Sequence, residues 1–301
     1  MEKYTITNTE EKKKRLELTN DYVFKKIFAK PENNVELKAL LEAILNIHIE
    51  QVEVKNPEIG KNYEDEKLGI LDIRAYINED TIVDVEMQVA NVYTIVNRNI
   101  TYSSRIIAEQ LQVGDSYTVL KKFISINILG ENLFKRNSYH NIAHLKFEKT
   151  EKEKYVDMGY KEEQEELTDK IEVHYIELKK FLKKNPGISS KLEQWLWLIS
   201  GEEEKVKMAS KENENIKKVV EDLDEMSADE NERLEAYKRK LAVWDYNVSI
   251  AEATERGKAE GLEEGSEKSK REIARNMKKE GMEIETIMRI TKLSKEEIEA
   301  L

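Results

Sequence analysis

The sequence predicts an α/β fold in which a sheet is flanked by helices and followed by a charged α-helical C-terminal region. Residues 67–89 have the pattern of two strands joined by the polar turn Asn78-Glu79-Asp80, and residues 122–129 form an apolar run of strand length. Charged residues make up 37% of the chain and hydrophobic residues 39%, which favours long charged helices around a modest core.

Two helices and a strand are predicted before the hairpin. Asn20-Asp21 is typical of an N-cap, and apolar residues follow it at helical spacing. A second helix is predicted to begin at Asn33 or Asn34. Residues 51–56 are predicted to form a strand, which Pro57 ends.

A helix is predicted after the hairpin, from residue 94 to residue 113, with Gly114 as its C-cap. Arg98, Tyr102 and Arg105 stand at i, i+4 and i+7 in it and therefore share one face. Two further strands are predicted at residues 144–149 and 171–178.

The chain is predicted to have three parts. Residues 1–200 contain the strands, residues 201–270 form a charged helical linker, and residues 271–301 form a small helical segment. The linker contains three glycines at four-residue spacing, which weaken a helix without excluding it. They are Gly257, Gly261 and Gly265.

The last segment is predicted to form three short helices, with a turn at Gly281 and a capping box from Ser294 to Glu297. One interpretation is a helix-turn-helix that docks on DNA. The other, which we favour from the residues, is a small bundle for self-association, because residues 283–290 offer two Glu side chains and one Arg.

Composition restricts the classes of function. A net charge of −11 repels phosphates, so binding to DNA requires a local basic patch. Cysteine is absent, which excludes disulfides and thiolate metal sites and favours a reducing cytoplasm. The first residues lack the apolar run of a secretory signal, and no apolar run is long enough to span a bilayer, so no membrane partner is expected.

The second strand of the hairpin carries the candidate chemistry. Asp84, Glu86 and Gln88 alternate with apolar residues and therefore lie on one face, and Asp72 on the first strand can approach Glu86. Two carboxylates brought together on a sheet repel each other, and a divalent cation such as Mg²⁺ would offset that charge. The alternative is that these residues form the solvent-exposed face of an antiparallel hairpin.

Several segments, in this order, resemble the Rpn family of recombination-promoting nucleases, which are PD-(D/E)XK-type transposases. The resemblance covers residues 18–130 well and the remainder loosely. The segments are Asn20–Phe28, Leu71–Ala75, Val85–Gln88 and the helix with Arg98, Tyr102 and Arg105.

The resemblance implies a restriction-endonuclease-like core that cleaves DNA with Mg²⁺, or with Mn²⁺ as the alternative metal. Asp72 and Glu86 match the two acidic metal ligands, and Gln88 stands where the family usually has a catalytic lysine. Asp21 matches an aspartate of the family's N-terminal motif, whose role the resemblance does not define. Recombination, mobile elements or phage defence are the biological settings that it implies.

The shared helix face is expected to contact the substrate. Arg98 and Arg105 could clamp phosphate oxygens, and Tyr102 could either stack on a base or pack half-buried. Two other classes of function stay open, a catalytically degenerate scaffold for protein–protein interaction and a DNA-binding regulator that acts through the terminal helices. A homodimer through the C-terminal helices is a further expectation.

Overall fold

The computed structural model describes residues 14–30, 34–55, 73–88, 94–147 and 166–301. It confirms the α/β prediction, with a mixed six-stranded sheet flanked by helices. The chain divides into two compact units, Met1–Leu241 and Ala242–Leu301. The strands are β1 (Val52–Lys55), β2 (Ile73–Ile77), β3 (Thr81–Gln88), β4 (Lys122–Leu129), β5 (His140–Lys146) and β6 (Glu166–Glu177).

The helices of the first unit surround this sheet, and the longest helix continues from it into the second unit. They are α1 (Asp21–Phe28), α2 (Val35–Leu45), α3 (Ile95–Ala108), α4 (Leu178–Lys184), α5 (Lys191–Ser200), α6 (Glu203–Glu212), α7 (Glu214–Ala228) and α8 (Glu230–Lys279). Two short helices follow, α9 (Ile284–Thr291) and α10 (Lys295–Glu299).

The strand order is β1-β2-β3-β4-β6-β5. β3, β4 and β6 run parallel to one another, and the other pairs are antiparallel. The predicted hairpin is confirmed, with Ile73 opposite Val85. Asn78 and Glu79 both have positive φ, 49° and 63°, as tight hairpin turns require.

The two faces of the sheet differ in character. The odd-numbered residues of β3 join a large apolar cluster with α1, α2, α5 and α7, in which Phe24, Phe28 and Trp195 are fully buried. The opposite face is covered by α3, which connects β3 to its parallel neighbour β4. Among the residues that the structure describes, the apolar clusters under α3 are small, and buried polar side chains share this face with them.

The N-cap prediction for α1 is confirmed in detail. The side chain of Asn20 accepts hydrogen bonds from the backbone N–H groups of Tyr22 and Val23. Its amide nitrogen donates to the carbonyl oxygen of Ala236 at 2.9 Å, so the same residue also ties α1 to the start of α8. Helix α3, in contrast, ends at Ala108 and not at Val113, and Gln110 after it accepts a hydrogen bond from the backbone N–H of Lys121.

The first unit continues beyond residue 200, where composition indicated a boundary. Helices α6 and α7 are highly charged, yet each buries an apolar stripe in the main core. The buried residues are Val206, Ala209, Ile216, Val219, Leu223 and Met226. A charged, amphipathic helix and a solvated linker have similar composition, and here the spacing of a few apolar residues distinguishes them. The three glycines of the expected linker lie inside α8, which is unbroken from residue 230 to residue 279.

The end of α8 forms a small core with α9 and α10. This core contains the buried residues Ala274, Ile287, Leu293 and Ile298. The predicted turn and capping box are present, with Gly281 at φ 77° and Ser294 paired with Glu297. The first of the three predicted helices is the last part of α8 and not a separate short helix. Among the described helices, none combines the length and the apolar character that crossing a membrane requires.

Candidate functional site

Polar side chains form a layer between α3 and the middle of the sheet. On β3, Asp84 and Glu86 stand in register with Ser125 and Asn127 of β4, so all four share the face under α3. Only 4% of the surface of Asp84 and of Glu86 is exposed. These carboxylates are therefore buried, and the alternative of a solvent-exposed hairpin face is wrong for them.

Glu86, Gln88 and Arg98 meet at one end of this layer, of which the sequence predicted only the shared strand face of Glu86 and Gln88. The Arg98 guanidinium donates from Nη2 to Glu86 Oε1 at 2.5 Å and from Nη1 to Gln88 Oε1 at 3.3 Å. It also lies over the ring of Tyr102, 5.8 Å from its centroid. Tyr102 is half-buried and packs against the small apolar cluster under α3. Arg98 therefore sits between a buried carboxylate and an aromatic ring, with 30% of its side chain exposed.

Arg105 shares the face of Arg98 but belongs to a second ion-pair group. It lies seven residues further along α3, which is about 10 Å along the helix axis. Arg105 Nε donates to Glu109 Oε1 at 2.9 Å, and the other carboxylate oxygen of Glu109 lies 3.8 Å from Arg74 Nη1. The helix face thus presents two arginines at different ends of the polar layer.

Asp84 and Arg74 are site residues that sequence reasoning did not assign. Arg74 on β2 stands opposite Asp84 in the strand register of the hairpin. Asp84 Oδ1 is buried and accepts no hydrogen bond from the described residues, and Arg74 Nε and Nη2 are buried without an acceptor among them. Buried polar groups are normally satisfied, so these atoms mark a place for a ligand, an ion or water. The signal available in the sequence was the cross-strand pairing of opposite charges in the predicted hairpin.

The buried acids have perturbed proton affinities. Burial, and then the charge of Glu86, raise the pKa of Asp84 to about 8, against the opposing charges of Arg74 and Arg98. Burial also raises the pKa of Glu86, although the charge and hydrogen bond of Arg98 work against that shift. Both acids are therefore harder to ionise in the folded chain than in water.

The raised pKa of Asp84 predicts a stability that depends on pH. The folded chain keeps the Asp84 proton up to pH of about 8, whereas the unfolded chain releases it near pH 4. Between these values the folded state binds more protons, so the free energy of unfolding should fall as pH rises from about 4 to 8. In Asp84→Asn this contribution should be absent, which urea unfolding at a series of pH values will measure. An identical pH profile for wild type and variant would contradict the assignment.

Asn99 fixes α3 on the sheet through a buried hydrogen-bond network. Its amide nitrogen donates to Asn127 Oδ1 at 3.2 Å and also to Ser125 Oγ. Asn127 in turn donates to the backbone carbonyl of His174 on β6. Because Asn99 follows Arg98 directly, this network sets the position from which Arg98 reaches Glu86.

The site offers oxygen donors of the kind that a hard divalent cation prefers, although the described residues do not gather them into a complete ligand group. Asp84 and Glu86 supply carboxylate oxygens on one face, Gln88 supplies an amide oxygen, and one buried oxygen has no donor from the described residues. Asp72, the other predicted ligand, lies outside the described residues. Among those that are described, no group of three or more His, Cys, Asp or Glu side chains could hold a metal ion.

Asp21 takes part in a different interaction. Both of its carboxylate oxygens accept hydrogen bonds from Arg239 Nε on α8, at 2.8 and 2.7 Å. Helix α1, which Asp21 begins, packs against the sheet face opposite to α3. The residue therefore joins α1 to α8, and this geometry gives it a structural role.

A histidine pair lies on that opposite face as well. His140 Nε2 and His174 Nδ1 are 2.9 Å apart, and His174 Nε2 is 2.6 Å from Glu172 Oε1. Lys122 Nζ donates to the other oxygen of Glu172 at 2.6 Å. Burial, and then the charge of His174, lower the pKa of His140 to about 4. The chain of contacts links three strands, and it is separated from Glu86 by the sheet.

Comparison with known families gives two matches. Residues 18–253, which include all six strands and α1 to α7, match the family described as PD-(D/E)XK nuclease family transposase. Residues 267–301 match the family described as Rpn/YhgA-like nuclease family, C-terminal HTH domain. No curated protein and no solved structure matches the chain. The second match favours a helix-turn-helix over the self-associating bundle that the residues alone had suggested, and nothing in the comparisons supports a homodimer.

Proposed function

The chain belongs to the PD-(D/E)XK nuclease family transposases, and from this premise we propose that it is a metal-dependent endonuclease that hydrolyses phosphodiester bonds in DNA. The observation that carries the proposal is the buried group formed by Asp84, Glu86 and Arg98 under α3. It combines oxygen donors for a cation with a guanidinium suited to phosphate. Recombination, mobile elements or phage defence, in the cytoplasm, are the settings that we propose for this activity.

Asp72 and Glu86 are the proposed metal ligands. Asp84, which shares a face of β3 with Glu86, adds a third carboxylate. Mg²⁺, or Mn²⁺ in its place, would supply polarisation of the phosphate and a lower pKa for bound water. The buried Asp84 Oδ1, which accepts no hydrogen bond from the described residues, supports a ligand such as a cation at this position.

The remaining residues have roles that follow from their contacts. Arg98 balances the charge of Glu86 and, being 30% exposed, has N–H groups that can reach a phosphate oxygen. Gln88 can orient a water by hydrogen bonding, but it brings no charge and cannot act as a general base. Arg74 holds two buried N–H donors without an acceptor among the described residues, directly across from Asp84.

A nicking assay on supercoiled plasmid tests the function. Purified full-length protein with Mg²⁺ is expected to convert supercoiled DNA to open-circular or linear forms, and EDTA should stop the conversion. Asp72→Ala should abolish it while leaving the circular-dichroism spectrum unchanged. Equal nicking by wild type and Asp72→Ala, or nicking that persists in EDTA, would rule out the proposed metal site.

The alternative function is a nuclease-fold scaffold without catalysis, and one observation favours it. Arg98 already pairs with Glu86 at 2.5 Å, so this carboxylate is satisfied by the chain itself, and Gln88 adds no catalytic charge. Isothermal titration with Mn²⁺ separates the two functions. Binding that Asp72→Asn removes supports the enzyme, whereas an absence of binding supports the scaffold.

A further inference from the structure

The terminal unit is a helix-turn-helix by its family match, yet its last helix is poorly suited to DNA. Helix α10 contains three glutamates and a single lysine, Lys295. A helix that enters a groove of DNA passes between two rows of phosphates, which repel carboxylates. Glu297 is moreover engaged in the capping box with Ser294, and Ile298 is buried in the small core. Helix α10 therefore has few side chains to offer to DNA.

Basic residues are concentrated instead on the last part of α8. Between residues 267 and 279 six side chains are basic and two, Glu267 and Glu272, are acidic, in a chain whose net charge is −11. The six are Lys268, Lys270, Arg271, Arg275, Lys278 and Lys279.

Three of these six side chains form a line along the side of α8 that faces away from the small core. Lys268, Arg275 and Lys279 lie within about 40° of one another around the helix axis, because they are spaced by seven and four residues. All three are exposed, whereas Ala274 and Met277, on the other side of α8, pack against α9 and α10. The row is about 16 Å long at the helical rise per residue. We call these three residues the outer basic row.

The other basic side chains of this part of α8 are used within the unit. Lys278 Nζ donates to the carbonyl oxygens of Ile298 and Glu299 at 2.9 Å, which satisfies the end of α10. Lys270 pairs with Glu267 at 2.5 Å, and Arg271 lies 3.9 Å from Glu297. The outer basic row, in contrast, makes no ion pair with any residue in the described part of the chain.

We propose that the outer basic row is the surface with which the terminal unit binds the sugar-phosphate backbone of duplex DNA, in place of α10. The proposal rests on the proposed function only in taking DNA as the ligand. Three cations over about 16 Å match about five phosphates along one strand, which are spaced by about 3.4 Å along the duplex axis. Contacts of this kind carry no sequence preference, so the row tethers the chain to DNA without selecting a site.

Fluorescence anisotropy with a labelled 30-base-pair duplex in EDTA tests the proposal on the full chain. EDTA removes cleavage, so the outcome does not depend on the nuclease activity. The variant Lys268→Glu/Arg275→Glu/Lys279→Glu is expected to bind at least about tenfold more weakly at low salt. The slope of a plot of log Kd against log salt concentration should become smaller by about 2 to 3. This is roughly one for each phosphate that the variant no longer binds.

Two matched variants decide between this surface and the alternatives. Lys191→Glu/Lys207→Glu/Lys211→Glu changes the net charge equally on exposed positions of the first unit and is expected to bind almost as wild type. Lys295→Glu removes the one cation of α10 and should have little effect. Equal losses in both triple variants, or a loss in Lys295→Glu as large as in the α8 variant, would overturn the proposal. Weaker DNA binding together with a change of oligomeric state in size-exclusion chromatography would instead assign the row to contact between copies of the chain, and would also overturn it.

Discussion

Glu86→Gln is expected to lower the rate of plasmid nicking by at least about a hundredfold while the fold remains as stable as wild type or becomes more stable. A cation stabilises the transferred phosphoryl group by several kcal/mol, and each 1.36 kcal/mol corresponds to about a tenfold change in rate. The carboxamide cannot replace a carboxylate as a metal ligand of comparable strength. Activity and stability should therefore change independently at this position.

The stability part of this result follows from burial. Glu86 is 4% exposed and burial raises its pKa, so the folded state bears a cost for its charge that a neutral side chain of the same size avoids. The partner Arg98, with 30% of its side chain exposed, can regain water when the carboxylate is gone. Thermal unfolding measures the stability, and Glu109→Gln, an exposed ion-pair acid after α3, is the matched control. A Glu86→Gln variant that still nicks DNA at the wild-type rate would remove Glu86 from the catalytic site.

Arg98→Met is expected to lower the free energy of unfolding by about 3 kcal/mol and to abolish nicking. Removal of one partner from a buried ion pair leaves an uncompensated charge, which typically costs about 3–5 kcal/mol, and the partial exposure of Arg98 places the expected effect at the lower end. Methionine keeps much of the side-chain volume over the Tyr102 ring. Urea unfolding at pH 7 measures the loss.

The double variant Glu86→Gln/Arg98→Met separates stability from function. It should regain most of the stability that Arg98→Met loses, because the Glu86 carboxylate that would be left without its partner is gone, and it should remain inactive. Arg98→Lys keeps the charge but not the two-pronged contact with Glu86 and Gln88, so it should retain more stability than activity. Additive effects of the two single substitutions on stability would show that the pair is not coupled, contrary to its 2.5 Å contact.

The parts of the fold that local sequence determines could be predicted. The N-cap at Asn20, the hairpin turn at Asn78 and the eight residues of β4 each depend on neighbouring residues alone, and all three are found as expected. Strand periodicity also predicted the shared face of Glu86 and Gln88, whereas the contact of Arg98 with both residues depends on how α3 packs on the sheet.

Other features depend on tertiary contacts that no local pattern encodes. Burial of Asp84 follows from α3 covering the sheet, and the exposed face of a hairpin would have the same alternation of residues. Asp21 matches an aspartate of a family motif, but its partner Arg239 is more than two hundred residues away in the chain, so no local pattern predicts their contact. The inclusion of α6 and α7 in the first unit likewise depends on a core that forms from distant segments.

The turn between β2 and β3 sets more than the path of the backbone. Along β3 the residues that fill the apolar core alternate one by one with those that face Arg98, so Val85 and Glu86 are separated by a single peptide unit. Slippage of this strand by one position would drive the carboxylates into the hydrocarbon interior and turn the valines toward the arginine. The three residues of the hairpin turn therefore fix the register of β3. Both the packing of the core and the position of the candidate site depend on that register.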